Sequence, residues 1–351
     1  MTSPDVSVVM PVYNGQRWLA QSIDSVLAQT HRNLELIVVD DGSQDQTPAI
    51  LDSFARRDGR VRVVTQAKLG IVAALNRGIA AAAAPLIARL DADDVALPSR
   101  LELQLAEFRQ RKGLVLLGSR TEKIDGEGRH AGTMGQASQH RDLKAELRLR
   151  NPFVHSSVMF DKAVAQHCGG YRMAFDGAED FDLWLRMSEE GEIAIQPKIL
   201  TQYRIHGGNV SATRAVRQVI SNRLAIRCAE LRSQGLPDPA EAWTETPDRT
   251  TLLSTEAVSD AGMLLGLLQC SEGEGVSIPL AEVRAALTLR LSHRERKVAQ
   301  VAIANLLSGS NLPAPARLEL IARLVLLHPA RAATMMVRGL GRNGRQTEIT
   351  P

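Results

Sequence analysis

Residues 85–94 are Pro85-Leu86-Ile87-Ala88-Arg89-Leu90-Asp91-Ala92-Asp93-Asp94, and they join a short apolar run directly to a cluster of carboxylates. Such a run, ended by a turn, is typical of a buried strand. The three carboxylates repel one another and no cationic residue follows before Arg100, so a divalent cation, a hydrogen-bonded loop or solvent must compensate them. Mg²⁺ and Mn²⁺ prefer oxygen ligands and commonly combine carboxylates with substrate phosphates. The cluster therefore favours a nucleotide–metal site, with an acidic turn before a helix near Pro98 as the alternative.

Strand-like and helix-like segments alternate on both sides of this cluster. Short β-rich runs end at turn residues, and the segments between them place apolar residues at helical spacing. This alternation predicts an α/β fold, in which helices cover both faces of a mostly parallel central sheet. The predicted strands are 6–10, 34–39, 61–65, 85–90 and 114–117, the predicted helices are 18–27, 47–54, 71–84, 98–110 and 141–150, and a hairpin turn is predicted at 125–128.

Three polar motifs follow predicted strands: Tyr13-Asn14-Gly15, Asp40-Asp41-Gly42-Ser43 and the Asp91–Asp94 cluster. Ligands of open parallel sheets bind beyond the carboxyl ends of the strands, so one crevice would collect all three motifs. No GxGxxG follows the first strand and no GxxxxGK[ST] is present, which disfavours a glycine-rich phosphate loop and leaves the phosphates to a metal. Asp40 or Asp41 suits hydrogen bonds to a base or ribose, and an Asx turn from Asp41 to Ser43 is the alternative.

Four separated motifs carry a resemblance to a known family. In chain order they are Val8-Val9-Met10-Pro11-Val12-Tyr13-Asn14-Gly15, Val38-Val39-Asp40-Asp41-Gly42-Ser43, Leu90-Asp91-Ala92-Asp93-Asp94 and Glu179-Asp180-Phe181-Asp182-Leu183-Trp184-Leu185-Arg186. Together they resemble the family 2 inverting glycosyltransferases, which have a GT-A fold, over roughly residues 5 to 210. Any one of these motifs alone would be a weak signal.

The resemblance implies a Mn²⁺ or Mg²⁺ site. It makes Asp91-Ala92-Asp93 the DxD motif of the family, with Asp93 the direct metal ligand and Asp91 directed toward the metal or the donor ribose. His206 is a candidate third ligand, and a simple turn histidine is the alternative at that position. A metal there would offset the negative charge that gathers on a nucleoside-diphosphate leaving group.

The resemblance also implies a nucleotide site. It assigns base and ribose contacts to the Asp40 and Asp41 pair, and it assigns the loop under the nucleotide to Pro11, Tyr13 and Asn14. The donor implied is a nucleoside-diphosphate sugar, with a UDP-sugar favoured.

Asp180 matches the catalytic aspartate of the family, which takes the proton from the acceptor hydroxyl. Asp180 would lie in the first turn of a packed helix, where the helix dipole favours the ionised form that a base needs. Glu179 beside it is either an acceptor contact or an N-terminal helix charge. His155, in a stretch that is similar to the acceptor side of the family's cleft, either contacts the acceptor or packs near a strand.

Residues 212–351 lie beyond the resemblance and are predicted to form a helical region, with helices at 215–233, 252–270 and 283–307, that serves acceptor, membrane-surface or oligomer contacts. The catalytic domain is predicted to span residues 1–211. From Arg317 to Arg345 the chain carries six arginines and one acid among apolar residues, so this segment either lies on an anionic membrane surface or packs on the preceding helices.

The chain has three scattered cysteines, no apparent signal peptide and no long apolar segment. These features favour a reducing, cytoplasmic location, and peripheral contact with the inner face of the membrane is a further option. A net charge of +3 does not indicate nucleic acid, and none is expected as a partner. The predicted enzyme is an inverting, metal-dependent glycosyltransferase of hexosyltransferase type, acting on a carbohydrate or lipid-linked acceptor in surface polysaccharide or glycolipid assembly. A nucleotidyltransferase and a catalytically idle relative that binds a partner are the alternatives.

Overall fold

The computed structural model of the chain describes residues 3–135, 140–207 and 215–262, together with residues 296 and 303. The strands are β1 Val6–Val12, β2 Leu34–Asp40, β3 Val61–Thr65, β4 Leu86–Arg89, β5 Val95–Ala96, β6 Leu114–Ile124, β7 His130–Met134, β8 Met159–Asp161 and β9 Glu192–Arg204. The helices are α1 Leu19–Leu27, α2 Thr47–Arg57, α3 Ile71–Ala81, α4 Arg100–Gln110, α5 His140–Leu147, α6 Lys162–His167, α7 Glu179–Glu190, α8 Ala215–Ser233 and α9 Arg249–Ser254.

The strands form one sheet in the order β3-β2-β1-β4-β8-β6-β9-β5, and β7 pairs with β6 outside this path. In the part of the sheet formed by β1 to β4, each pair of neighbouring strands is parallel, as the alternation of strands and helices predicts. Beyond β4 the sheet is mixed, because β8 runs antiparallel to both β4 and β6 whereas β6 and β9 are parallel. The α/β fold class is therefore confirmed, and the antiparallel strand β8 joins the two halves of the sheet.

The central strands β1 and β2 are buried along their whole length, which is expected where helices cover both faces of a parallel sheet. On one face, alternate residues of these strands, such as Val8 and Leu36, pack with Ile23 of α1 and Leu101 of α4. On β1, helix α3 approaches so closely at Gly78 that a Cβ there would lie 2.4 Å from Val9. This packing fixes the carboxyl ends of β1, β2 and β4, where the polar motifs lie.

The chain divides into two compact units, Met1–Thr246 and Pro247–Pro351. The first unit extends past the boundary predicted at residues 211/212, because α8 is fixed to the region around α7. The hydroxyl of Ser221 donates to the carbonyl oxygen of Asp176 at 3.0 Å, and Arg232 lies 2.9 Å from Glu189.

The second unit is described only in its first residues. The predicted helix over 252–270 is interrupted, since α9 ends at Ser254 and Thr255 adopts an extended conformation before a 3₁₀ turn at Glu256–Val258. The rest of that helix, the helix predicted at 283–307 and the basic segment from Arg317 to Arg345 lie outside the described residues. No helix within the described ranges is both long enough and apolar enough to span a bilayer.

Candidate active site

The loop after β1 is joined to the loop after β2 by hydrogen bonds in both directions. Asn14, whose φ of 52° lies in the left-handed region that asparagine tolerates, donates its backbone N–H to the Ser43 hydroxyl at 2.9 Å. Its side-chain oxygen accepts from the Gln44 N–H at 2.8 Å. Tyr13 is exposed beside it, with the Lys68 ammonium 4.0 Å from its ring centroid. The structure thus brings two of the predicted nucleotide residues into one loop pair.

Pro11 and Asp40 are buried at the ends of the two central strands. Pro11 lies opposite Val39 within the sheet, and Asp40 is the last residue of β2. The carboxylate of Asp40 accepts the Ser43 N–H at 3.0 Å. The Ser43 N–H, which the Asx turn would have given to Asp41, is therefore bound by Asp40, three residues before it.

Asp41 is held instead by the segment that leads into α3. One of its carboxylate oxygens accepts from Gln66 Nε2 and from the Leu69 N–H, each at 2.7 Å, and the other accepts from the Gly70 N–H at 2.9 Å. Asp41 therefore orders the loop after β3 at the same edge of the sheet.

The cluster after β4 brings together one oxygen each from Asp91, Asp93 and Asp94, all within 4.8 Å of one another. Asp94 is fully buried, where one oxygen accepts the Arg204 N–H at 2.8 Å and the other has no hydrogen-bond partner among the described residues. Grouped carboxylate oxygens, one of them buried without a partner, fit the ligand preference of a hard divalent cation. The residues present therefore suit Mg²⁺ or Mn²⁺.

The electrostatics of the cluster agree with that assignment. Burial, together with the charge of Asp91, raises the pKa of Asp93, and burial with the charges of Asp91 and Asp93 holds the pKa of Asp94 well above its usual range. A bound dication would reverse this effect, because it favours the ionised form of every carboxylate that it contacts.

The structure places His206 at this cluster. Its Nε2 lies 2.8 Å from Oδ2 of Asp93, and its ring lies 4.4 Å from the ring of Trp18. Trp18 in turn donates its indole N–H to the carbonyl oxygen of Gly126, and Arg204 Nε donates to the carbonyl oxygen of Asp93 at 2.8 Å. His206 is thus positioned between the cluster and the hairpin that joins β6 to β7.

Asp180 and Glu179 begin helix α7. The carboxylate of Asp180 accepts from Asn151 Nδ2 at 2.8 Å and from the Phe181 N–H at 2.7 Å, while Glu179 accepts the Gly177 N–H at 2.9 Å. Burial raises the pKa of Asp180, and burial with the adjacent charge of Asp180 raises that of Glu179. The expectation that the helix N-terminus keeps Asp180 easily ionised was wrong in its net sign, because burial outweighs these hydrogen bonds. A raised pKa still suits a base, which is strongest when its pKa approaches the working pH.

His155 is partly exposed and packs among aromatic side chains. Its Nε2 lies 2.9 Å from the hydroxyl of Tyr171, and its ring meets the edge of Trp184 at a centroid distance of 5.9 Å. Burial, followed by the charge of Arg89, holds the pKa of His155 well below its usual range. The packing contacts predicted as one alternative for His155 are present, and an acceptor contact stays a prediction.

Sequence patterns did not single out several residues that touch the predicted site residues. Asn151 contacts Asp180, Arg89 and Ser156 contact Asp91, and Trp18 contacts His206. Asn151 and Ser156 lie in the stretch 151–160, which is similar to the family pattern at the acceptor side of the cleft. The charge of Arg89 inside an apolar strand was a second sequence signal, since an interior cation is rarely unpaired.

Comparison with known proteins agrees with the site. The family model described as "Glycosyl transferase family 2" matches residues 7–168. A protein of Haemophilus influenzae named as an uncharacterized glycosyltransferase is 30% identical over 222 residues, which cover 60% of this chain and 68% of that protein. The chain belongs to glycosyltransferase family 2. It is accordingly a glycosyltransferase, and this membership does not support the nucleotidyltransferase alternative.

Other relatives and solved structures extend the comparison. The chondroitin synthase of Escherichia coli is 30% identical over 209 residues, which are 59% of this chain and only 30% of that protein. The S. aureus TarS structure in complex with UDP-GlcNAc has a TM-score of 0.51 at 13% identity, covering 93% of this chain and 82% of that one. The mannosyltransferase PcManGT of Pyrobaculum calidifontis, in complex with GDP-Man and Mn²⁺, has a TM-score of 0.51 at 19% identity, covering 96% and 84%. At these identities the two structures show a shared GT-A fold.

Proposed function

We propose that this glycosyltransferase moves a sugar from a nucleoside-diphosphate donor to an acceptor hydroxyl, with inversion at the anomeric carbon and with a divalent metal. The observation that carries the proposal is the presence of two distinct carboxylate centres. One is the Asp91–Asp94 cluster at the end of β4, and the other is the Glu179–Asp180 pair at the start of α7. Inverting transfer needs one centre for the leaving group and another for the attacking hydroxyl.

The first centre would hold the donor diphosphate. Asp93, Asp91 and His206 are the proposed ligands of Mn²⁺ or Mg²⁺, and the bound metal would supply Lewis-acid stabilisation of the leaving diphosphate. PcManGT was solved with GDP-Man and Mn²⁺ and TarS with UDP-GlcNAc, which supports a metal and a nucleoside-diphosphate sugar as the proposed pair, and a UDP-sugar is the donor that we propose first.

The joined loops after β1 and β2 would receive the nucleoside. Tyr13 offers an exposed aromatic face, while Asn14 and Asp40 set the geometry of these loops through their contacts with Ser43. Asp41 fixes the neighbouring loop, and Pro11 lies beside Val39 in the sheet. These five residues would form the nucleoside side of the crevice.

The second centre would activate the acceptor. Asp180 takes the proton of the acceptor hydroxyl while the oxygen attacks the anomeric carbon, and the bond from that carbon to the diphosphate oxygen breaks with its electron pair. Asn151 orients Asp180 for this step, and Glu179 lies on the acceptor side. One displacement without a covalent intermediate inverts the anomeric centre.

A hydroxyl of a growing saccharide, free or lipid-linked, is the proposed acceptor, and surface polysaccharide or glycolipid assembly is the proposed setting. The name of the related chondroitin synthase supports a polysaccharide product, although the match covers only 30% of that protein. Acceptor, oligomer or peripheral membrane contacts of residues 212–351 stay predictions.

A calorimetric panel tests the donor site. UDP, GDP, dTDP and CDP are titrated into the wild-type chain and into Asp93→Ala, each with and without Mn²⁺. Selective binding that requires Mn²⁺ and is lost in Asp93→Ala supports the proposal and identifies the donor nucleotide. Tight binding of every nucleotide without metal would contradict it, and no binding at all would favour the idle relative. NMR of the glycoside formed, compared with the donor anomer, tests inversion.

A further inference from the structure

Arg89 is a buried cation at the end of a central strand. It is the last residue of β4 and only 2% exposed, and it follows the apolar residues Leu86, Ile87 and Ala88. A charged side chain in such a place is unfavourable unless it is paired and hydrogen-bonded. Its partners therefore indicate why the chain keeps it there.

Those partners converge on Asp91. One terminal nitrogen of Arg89 forms an ion pair with Oδ1 of Asp91, and the other donates to the hydroxyl oxygen of Ser156 at 2.8 Å. The Ser156 hydroxyl donates to Oδ2 of Asp91 at 2.9 Å and accepts the Asp91 N–H at 3.1 Å. The Ser156 hydroxyl thus contacts both Arg89 and Asp91, and it also affects the neighbouring Asp94, whose pKa it lowers by hydrogen bonding.

Helix α4 adds a second buried cation beside the first. Arg100 donates to the carbonyl oxygen of Arg89 at 2.8 Å and to that of Val158 at 3.0 Å. Burial, together with the charge of Arg89, lowers the pKa of Arg100 to about 9. Two adjacent buried guanidinium groups oppose each other, so packing of the strand alone gives no reason for a cation at position 89.

We propose that Arg89 and Ser156 are positioning residues that hold the Asp91 carboxylate in the one orientation from which it meets the metal-bound donor. Arg89 holds Oδ1 of Asp91 and Ser156 holds Oδ2, and a carboxylate oxygen has lone pairs beyond the one used in such a contact. Partners of this kind around a metal-binding carboxylate typically change metal affinity about 10–100-fold when they are removed. This inference rests on the proposed metal site.

Two neighbouring serines give a matched test. Ser156 and Ser157 are both buried, but the Ser157 hydroxyl donates to the carbonyl oxygen of Val154 at 2.8 Å and not to Asp91. Mn²⁺ binding to the full chain, with saturating UDP, GDP, dTDP or CDP in separate titrations, is measured by the loss of the electron paramagnetic resonance signal of free Mn²⁺. We expect Ser156→Ala to raise the Kd for Mn²⁺ about 10–100-fold and Ser157→Ala to leave it unchanged within about twofold.

Arg89→Lys separates charge from geometry. A lysine keeps the positive charge but presents a single ammonium instead of a planar fork, so it cannot reproduce both contacts of Arg89. We expect Arg89→Lys to weaken Mn²⁺ binding as well, with a circular dichroism spectrum like that of the wild type. Wild-type Mn²⁺ affinity in both Ser156→Ala and Arg89→Lys would overturn the inference, as would equal weakening in Ser156→Ala and Ser157→Ala.

The same titration distinguishes the inference from the proposed function. A wild-type chain that binds no Mn²⁺ with any of the four nucleoside diphosphates would contradict the proposed metal dependence, and this inference with it. A wild-type chain that binds Mn²⁺ while all three variants bind it equally well would leave the proposed function standing and overturn only the roles of Arg89 and Ser156.

Discussion

The two carboxylate centres of this glycosyltransferase are built differently. Around the Asp91–Asp94 cluster the protein places positive or protonatable groups, since Arg89 pairs with Asp91 and His206 lies 2.8 Å from Asp93. Around the Glu179–Asp180 pair the direct hydrogen-bond donors are uncharged, namely Asn151 and backbone N–H groups. In both centres burial raises carboxyl pKa values.

This difference indicates two tasks. Several carboxylates within reach of one point can share a dication, which removes the repulsion between them. Asp180 accepts its direct hydrogen bonds from neutral donors, and its burial outweighs both these bonds and the charge of Arg89, so its carboxylate more readily accepts a proton. The first centre is therefore suited to holding a metal-bound leaving group, and the second to acting as a base.

The largest expected effect comes from removing the base. Asp180→Asn keeps the shape of the side chain and its contact with Asn151 but cannot accept a proton. We expect release of nucleoside diphosphate from the sugar donor to slow by about 10²–10⁴-fold. Glu179→Gln is the matched control and is expected to slow release much less. Equal losses in the two variants would contradict the assignment of the base to Asp180 alone.

The next effect concerns the metal centre. Asp93→Asn keeps the size of the side chain but removes its negative charge, and it should weaken binding of Mn²⁺ with nucleoside diphosphate by about 10-fold or more. Nucleotide binding without metal should change little, because Asp93 contributes through the cation. Calorimetry with and without Mn²⁺ measures both quantities. An equal loss of affinity under the two conditions would mean that Asp93 contacts the nucleotide itself.

A third prediction concerns pH. Burial raises the pKa of Asp180, while its hydrogen bonds with Phe181 and Asn151 and the charge of Arg89 lower it and the charge of Asp91 raises it. Only the deprotonated form is a base, so the rate should rise with pH through an apparent pKa above about 3.9, the ordinary value for aspartate. A pH–rate profile on the metal-loaded enzyme measures this. Burial and the charge of Asp180 raise the pKa of Glu179 to about 8, so Glu179 is protonated where Asp180 titrates, and Glu179→Gln should leave the acidic limb in place. A profile without an acidic limb would contradict the assignment.

The smallest effect is expected at Asn151. Asn151→Ala removes the 2.8 Å hydrogen bond to Oδ2 of Asp180, which raises the pKa of the base further and loosens its orientation. A hydrogen bond to a charged group contributes about 1.5–3 kcal/mol, and this site is partly open to solvent, so we expect a loss of about tenfold or less in kcat. Unchanged kcat together with an unchanged pH profile would show that Asn151 does not orient the base.

Sequence patterns predicted the first half of the sheet well. Regular alternation of strands and helices up to residue 90 follows directly from hydrophobic periodicity, and the strands β1 to β4 are found at the predicted places. The antiparallel strand β8, Met159–Asp161, is only three residues long, so it has too few residues to show a period. Helix α8 was predicted as a helix but not as part of the first unit, because its contacts with Asp176 and Glu189 join distant parts of the chain.

In the site as well, features of adjacent residues were predicted and contacts between distant residues were not. Motifs of adjacent residues, such as Asp91-Ala92-Asp93 and Glu179-Asp180, are visible in the sequence because their members are neighbours in the chain. Partners such as Ser156 for Asp91 are 65 residues away, and only the folded sheet brings them together. The net effect of burial on the pKa of Asp180 could not be predicted from the sequence either. A sequence pattern indicates where a helix begins, but it does not give the burial of a side chain in the folded protein.

The most direct test of the division between the two centres is a calorimetric titration of Asp180→Asn and Asp93→Asn with Mn²⁺ and the nucleoside diphosphate that the wild type prefers. We expect Asp180→Asn to bind this pair as tightly as the wild type, although it transfers almost no sugar, whereas Asp93→Asn loses the metal-dependent part of the binding. Loss of binding in Asp180→Asn, or wild-type binding in Asp93→Asn, would contradict the assignment of leaving-group and base chemistry to separate carboxylate centres.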